Sequence, residues 1–87
     1  MTAAPAHTLV VDTDPDAATL LRVLNLLLVA GIDHAGLRSF KRGGTRTLVI
    51  ETEPAAQSAI AVVVRKMAGT YGVRDARALP APAFAED

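Results

Sequence analysis

Three acidic residues stand at alternate positions, Asp12, Asp14 and Asp16, which is how a calcium-binding loop opens. The rest of such a loop is missing. Pro15 intrudes, no glycine stands at the sixth position, and Val23 occupies the twelfth, where a glutamate would ligate. The acids suit the start of a helix, where they cap amides and meet the positive end of the dipole, and Glu51-Thr52-Glu53 repeats the pattern. The only imidazoles, His7 and His34, have no further ligands at metal-binding spacing, the nearest carboxylates being Asp12 and Asp33, so no metal site is expected. Arg38, Lys41, Arg42 and Arg46 form a basic cluster suited to a charged turn that discourages edge aggregation. There is no cysteine, which excludes disulfides and thiolate chemistry. No nucleophile with an adjacent base and no acid and base pair can be assembled, so no residue is expected to be catalytic and nothing calls for a cofactor.

The elements that position these residues come from an internal duplication. Leu9-Val10-Val11-Asp12-Thr13-Asp14-Pro15 is repeated as Leu48-Val49-Ile50-Glu51-Thr52-Glu53-Pro54, and each copy leads into an Ala-rich apolar stretch that ends near a glycine. Each reads as a strand, a tight connection with Thr13 or Asp14 as the cap in the first copy, and a helix with proline in its first turn. Gly31-Ile32 and Gly72-Val73 then close the helices and open new strands. Two such halves make β-α-β-β-α-β, an α+β, ferredoxin-like sheet of four antiparallel strands with two helices on one face.

The expected strands are His7 to Asp12, Asp33 to Lys41, Thr45 to Thr52 and Val73 to Leu79. The unbroken Leu9-Val10-Val11 predicts a central strand covered on both faces. Gly36 predicts a bulged or edge second strand, and Gly43-Gly44 the hairpin turn. In the first helix Ala17, Leu20, Leu21, Leu24, Leu27 and Leu28 read as the buried face, which leaves Thr19, Arg22, Leu26 and Val29 outward. The second helix, Pro54 to Ala68, buries Ala56, Ala59, Ile60, Val63 and Met67. Residues 1–6 are expected to be a flexible lead, 7–79 the folded domain and 80–87 a disordered tail.

With 87 residues the chain is one domain, in the range where only about 60% of the unfolded surface is buried, so association would add stability. Outward Leu26 and Val29, together with Ala35 and Leu37 on the edge strand, form the expected homodimer interface. Nine basic and nine acidic side chains give zero net charge, which offers no field toward nucleic acid or an anionic membrane. Aromatics are 3% of the chain, and strands one and three carry none, which excludes base stacking of the RNA-recognition type. An acylphosphatase-like phosphate loop is excluded by the acidic first turn. No apolar run approaches the roughly 20 residues of a membrane span, and no cationic leader precedes an apolar core, so the expected location is cytoplasmic.

The stretch from Asp14 to Asp33 and on to Leu37 resembles the opening of an ACT domain, a small amino-acid-sensing regulatory module. Within that superfamily Leu20, Arg22-Val23, Leu24, Gly31, Asp33 and Leu37 are similar to the small subunit of acetolactate synthase. The ending Met67 to Leu79, with Gly72-Val73, fits the short form found with the second isozyme. The resemblance spans residues 8 to 79 and implies a non-catalytic regulatory subunit in branched-chain amino acid biosynthesis. Its partner would be a large catalytic subunit, a thiamine-diphosphate enzyme. An alternative is a free-standing sensor with an amino acid at its dimer interface. An effector would then lie near Asp14, Asp16 and Ala18 and near Asp33, His34 and Gly36. The family's helix-turn glycine falls at Ala18, or at Asp16 if the turn carries an extra residue. Its strand-two asparagine is Asp33. These departures imply weak amino-acid binding.

Overall fold

The computed structural model describes residues 5–80. Residues 1–4 of the expected lead and 81–87 of the expected tail lie outside the described residues. The elements are β1 (His7–Thr13), α1 (Ala17–Ala30), β2 (His34–Arg42), β3 (Thr45–Thr52), α2 (Gln57–Ala68) and β4 (Val73–Pro80). All strand pairs are antiparallel, in the order β2-β3-β1-β4, so β1 and β3 are central and β2 and β4 are edges. This is the ferredoxin-like arrangement that the duplication predicts.

Alternation in the central strands separates core from open face. Leu9 and Val11 of β1 and Leu48 and Ile50 of β3 are fully buried beneath Val23 and Leu27 of α1 and Ile60, Val63 and Met67 of α2. Val10 and Val49 point the other way and are half-buried. The unbroken apolar run in β1 therefore marks a central position but not two covered faces. Among the described residues there is one layer of helices, and the opposite face of the sheet is left uncovered by it.

Both helices begin later than the prolines suggest. Thr13 ends β1 with its hydroxyl donating to the Asp14 and Arg46 carbonyls, at 2.7 and 3.4 Å, so it cannot cap α1. Asp16 is the cap: its backbone is extended (φ −76°, ψ 152°) and its carboxylate accepts from the Thr19 amide at 3.1 Å. Pro15 stands before the helix. In the second half Pro54 precedes α2 by three residues, and Ala56, at the N-cap, makes no side-chain cap bond and is exposed rather than buried. At the other end of α1, Gly31 adopts φ 76° and donates its amide to the Leu27 and Leu28 carbonyls, the left-handed stop the sequence predicts.

The phase of α1 differs from the expectation. Thr19, Val23 and Leu27 are its buried residues, and Leu20, Leu24 and Leu26 pack against the core. Leu21, Leu28 and Val29 are 65, 73 and 72% exposed, so two leucines assigned to the core face outward and Leu26 does not. The physical reason is that α1 is apolar almost all round, so several stripes satisfy helical spacing and periodicity cannot choose between them. A polar contact decides. Thr19 turns inward, its hydroxyl donating to Asp16 Oδ1 at 2.9 Å and accepting from Arg22 at 3.3 Å.

Candidate functional site

The expected effector residues fall into two groups at opposite ends of α1, a helix of 14 residues that is about 21 Å long. At its start, the Asp14 amide donates to the Gly72 carbonyl at 2.7 Å and the Asp14 carboxylate pairs with Arg74 at 2.9 Å. Asp16 is occupied as the cap, and the Thr19 hydroxyl bond, the largest influence, overcomes desolvation, with smaller help from the Thr19 amide and Arg22, to hold its carboxyl below the usual aspartate range. Ala18 is exposed in the first turn of α1. Arg46 reaches the same loop from β3, donating to the Pro15 carbonyl at 3.1 Å and to Ser39 Oγ at 2.6 Å, while its buried Nε has no partner among the described residues. Every acidic side chain of this corner thus has a local partner, since Asp12 accepts from the Thr47 hydroxyl at 2.7 Å.

Asp33, His34 and Gly36 lie beyond the end of α1, at the start of edge strand β2. Asp33 precedes the strand, and its carbonyl accepts from the Glu53 amide at 2.9 Å. His34 pairs with Thr52 and Gly36 with Glu51, so Ala35 is the bulged residue between them, as the glycine predicts. Asp33 and His34 join Leu21, Arg22, Leu24, Asn25, Leu27, Leu28 and Ile32 around an open groove of about 640 Å³. One chain therefore does not bring the two groups together. A ligand touching both would need a second copy of the chain.

Of the expected dimer residues, Val29 is exposed on α1, and Ala35 and Leu37 are exposed along β2. Leu26 packs inward instead. The outward stripe of α1 is Ala18, Leu21, Arg22, Asn25, Leu28 and Val29, and its Leu21, Arg22, Asn25 and Leu28 line the groove. Sequence reasoning missed Leu21, Asn25 and Leu28 because the phase of α1 was wrong by one residue. It also missed Thr19 and Arg74. For Thr19 a signal existed, a threonine three residues after an acidic cap, whereas Arg74 is placed only by the fold, where it donates to the Gly44 carbonyl at 2.8 Å and to Thr45.

Among the described residues no group of three or more His, Asp or Glu gathers to hold a metal ion, and no helix is long and apolar enough to cross a membrane.

No family model matches the chain. No curated protein matches it in sequence either. Solved structures do match in shape. The ACT domain from GTP pyrophosphokinase of Chlorobium tepidum superposes with a TM-score of 0.76 at 9% identity, covering 90% of this chain and 100% of that one. An ACT domain protein from Streptococcus pneumoniae gives 0.74 at 11% identity, with 93 and 94% covered. The C-terminal domain of the MgtC protein from Mycobacterium tuberculosis gives 0.75 at 12% identity, with 95 and 94% covered. At such identities the likeness speaks to architecture, and what it establishes is that the chain has the fold of the ACT domains.

Proposed function

We propose that this chain is a non-catalytic, ACT-type regulatory subunit that pairs with itself through β2 and α1 and binds a large acetolactate synthase catalytic subunit, a thiamine-diphosphate enzyme, to activate or stabilise it. The observation that carries the reading is the exposed apolar side chains Leu21, Leu28, Val29 and Leu37, together with an edge strand, β2, whose outer backbone groups have no strand to pair with among the described residues. Such a surface suits a protein that works by association. The identity of the partner rests on the resemblance of residues 14–37 and 67–79. Adding the purified chain to the large enzyme of its own cell should raise that enzyme's turnover or melting temperature. A chain that neither binds nor alters it removes the subunit reading.

A second reading, a free-standing sensor of a small amino acid, is favoured by the groove itself. Apolar Leu24, Leu27 and Ile32 end at polar Asn25, Asp33 and His34, which suits an aliphatic side chain with a charged head. Titration calorimetry with valine, leucine and isoleucine separates the readings: micromolar affinity favours the sensor.

A further inference from the structure

The outward stripe of α1 is nearly the same read from either end. Leu21 and Leu28 flank Asn25, and all three are exposed and line the groove. Arg22 is the only charged residue on the helix. We propose that Asn25 sits at the two-fold axis of an antiparallel α1 to α1 contact between two copies of this chain and fixes its register. The inference rests on the pairing just proposed and names the residue that specifies it.

Antiparallel packing about a point beside Asn25 lays Leu21 of one copy on the partner's Leu28, and the reverse, so one operation makes the contact twice and covers all four leucines. The same operation carries Arg22, which within its own chain donates to the Thr19 hydroxyl at 3.3 Å and the Tyr71 carbonyl at 3.4 Å and lies over the Tyr71 ring, alongside the partner's last turn. No basic residue stands in that turn, so the negative end of the helix dipole is not compensated from its own helix. Parallel packing would set Arg22 against Arg22 and lose that contact. A second copy is therefore the occupant that the charge pattern of this face matches.

Asn25 is the one residue of the stripe able to meet itself. An amide carries both donors and acceptors, so two of them across a two-fold axis satisfy each other, which neither two carboxylates nor two ammonium groups can do. A shift of one turn would bury each amide against leucine and leave it unbonded, a cost that apolar residues alone would not impose. Leucine at this position would bind at least as tightly and tolerate several registers.

The chain has no cysteine, so one introduced thiol reports on one position. The full-length Asn25→Cys variant, oxidised gently at micromolar concentration, should form a disulfide dimer at least tenfold faster than Ser58→Cys, whose thiol would sit exposed in α2. Asn25→Asp should weaken the dimer at least tenfold at pH 7 and regain it on acidification, and Asn25→Leu should keep it. If the chain is a dimer by light scattering yet Asn25→Cys crosslinks no faster than Ser58→Cys, the placement of Asn25 is wrong and the pairing stands. A wild-type monomer at high micromolar concentration removes the pairing and the inference together.

Discussion

The two copies of the repeated phrase fold alike at the strand and part company at the helix. Thr13 and Thr52 are both buried at the ends of their strands. The next amide in each donates to the carbonyl that precedes a partner strand, Asp14 to Gly72 at 2.7 Å and Glu53 to Asp33 at 2.9 Å. A side chain from the start of the other central strand then reaches the loop, Arg46 to the Pro15 carbonyl and His7 to the Ala55 carbonyl. Beyond that point the first copy reaches its cap at Asp16 after one proline, while the second inserts a residue and starts from bare Ala56. The difference teaches that backbone bonding follows the duplication, whereas the polar character of a helix start is set copy by copy. The first helix start carries a carboxylate cap, whereas the second, although Glu51 and Glu53 stand just before it, starts without one.

The two loops differ most at Gly72 and its counterpart Asp33. Gly72 holds φ 93°, and a β-carbon there would lie 2.9 Å from Thr19 Cγ2, so alanine meets both an unfavourable backbone region and the buried threonine. Gly72→Ala should cost on the order of 3 kcal/mol, read by urea unfolding. Asp33 has no positive φ, and Asp33→Ala should cost less than about 1 kcal/mol. Equal losses would mean the two loops are not the distinct structures described.

A smaller effect separates the two threonines. Thr52 Oγ1 accepts from the His7 amide at 3.1 Å, and the bond is buried, so Thr52→Val strands a donor. The expected loss is about 2 kcal/mol. Thr13 donates to carbonyls instead, and a carbonyl keeps another lone pair for a bond, so Thr13→Val should cost about 1 kcal/mol. Thermal unfolding of the two variants side by side checks the order. A reversed order would place the more demanding bond in the first copy.

The same contrast shows what the sequence could disclose. The hairpin at Gly43-Gly44, the bulge at Ala35 beside Gly36 and the left-handed Gly31 were legible, because each depends on a residue type whose backbone preference is local. The helix starts were not, since Thr and Pro serve a strand end and an extended lead as well as they serve a helix, and only the cross-strand bonds of Thr13 and Thr52 decide between them. The phase of α1 was hidden by its surplus of leucine and settled by Thr19. That error carried directly into the candidate site, replacing Leu21 and Leu28 by Leu26. Asp14, Asp16 and Ala18 stand at the start of α1 and Asp33, His34 and Gly36 at the start of β2, and a single chain keeps the two groups apart.

The caps should be exchangeable. Ala56 has nearly the backbone of Asp16 (φ −63°, ψ 140°), and the Ala59 amide now turns to the Ala56 carbonyl at 3.0 Å. Ala56→Asp should offer that amide a carboxylate and add about 0.5–1 kcal/mol at pH 7. In the wild type, Asp16 has a carboxyl held below its unfolded value by the Thr19 hydroxyl. A depressed folded pKa contributes stability that is present above the unfolded value near 3.8 and is lost as pH falls through the folded one. Asp16→Asn, which keeps the cap without the charge, should therefore flatten the acid limb of the stability curve. An unchanged acid limb would show that this carboxylate plays no part in acid sensitivity.

The smallest effect concerns free amino acids, and it turns on which helix start is crowded. A zwitterion at the approach to α1 would bring its carboxylate to the helix amides, where the dipole favours it, and its ammonium to Asp33 of a second copy. The carboxylate meets three obstacles: Asp16 already holds the Thr19 amide, Asp12 and Asp14 add negative charge nearby, and Ala18 places a methyl in the turn. Arg74 offsets part of the Asp14 charge, at 2.9 Å, but both partners are substantially exposed, so solvent screens the relief. Like charges about 4 Å apart cost on the order of 1 kcal/mol in water and more in a partly dry interface, enough to remove tenfold or more in affinity. Valine, leucine and isoleucine should then bind in the millimolar range or not at all, and each at a concentration equal to its Kd adds only about 0.4 kcal/mol to stability. Removing one charge should sharpen the result: Asp16→Asn keeps an amide cap and should bind the same amino acids several-fold tighter by calorimetry. Micromolar affinity in the wild type, or no gain in the variant, would show that the crowded corner is not what limits binding.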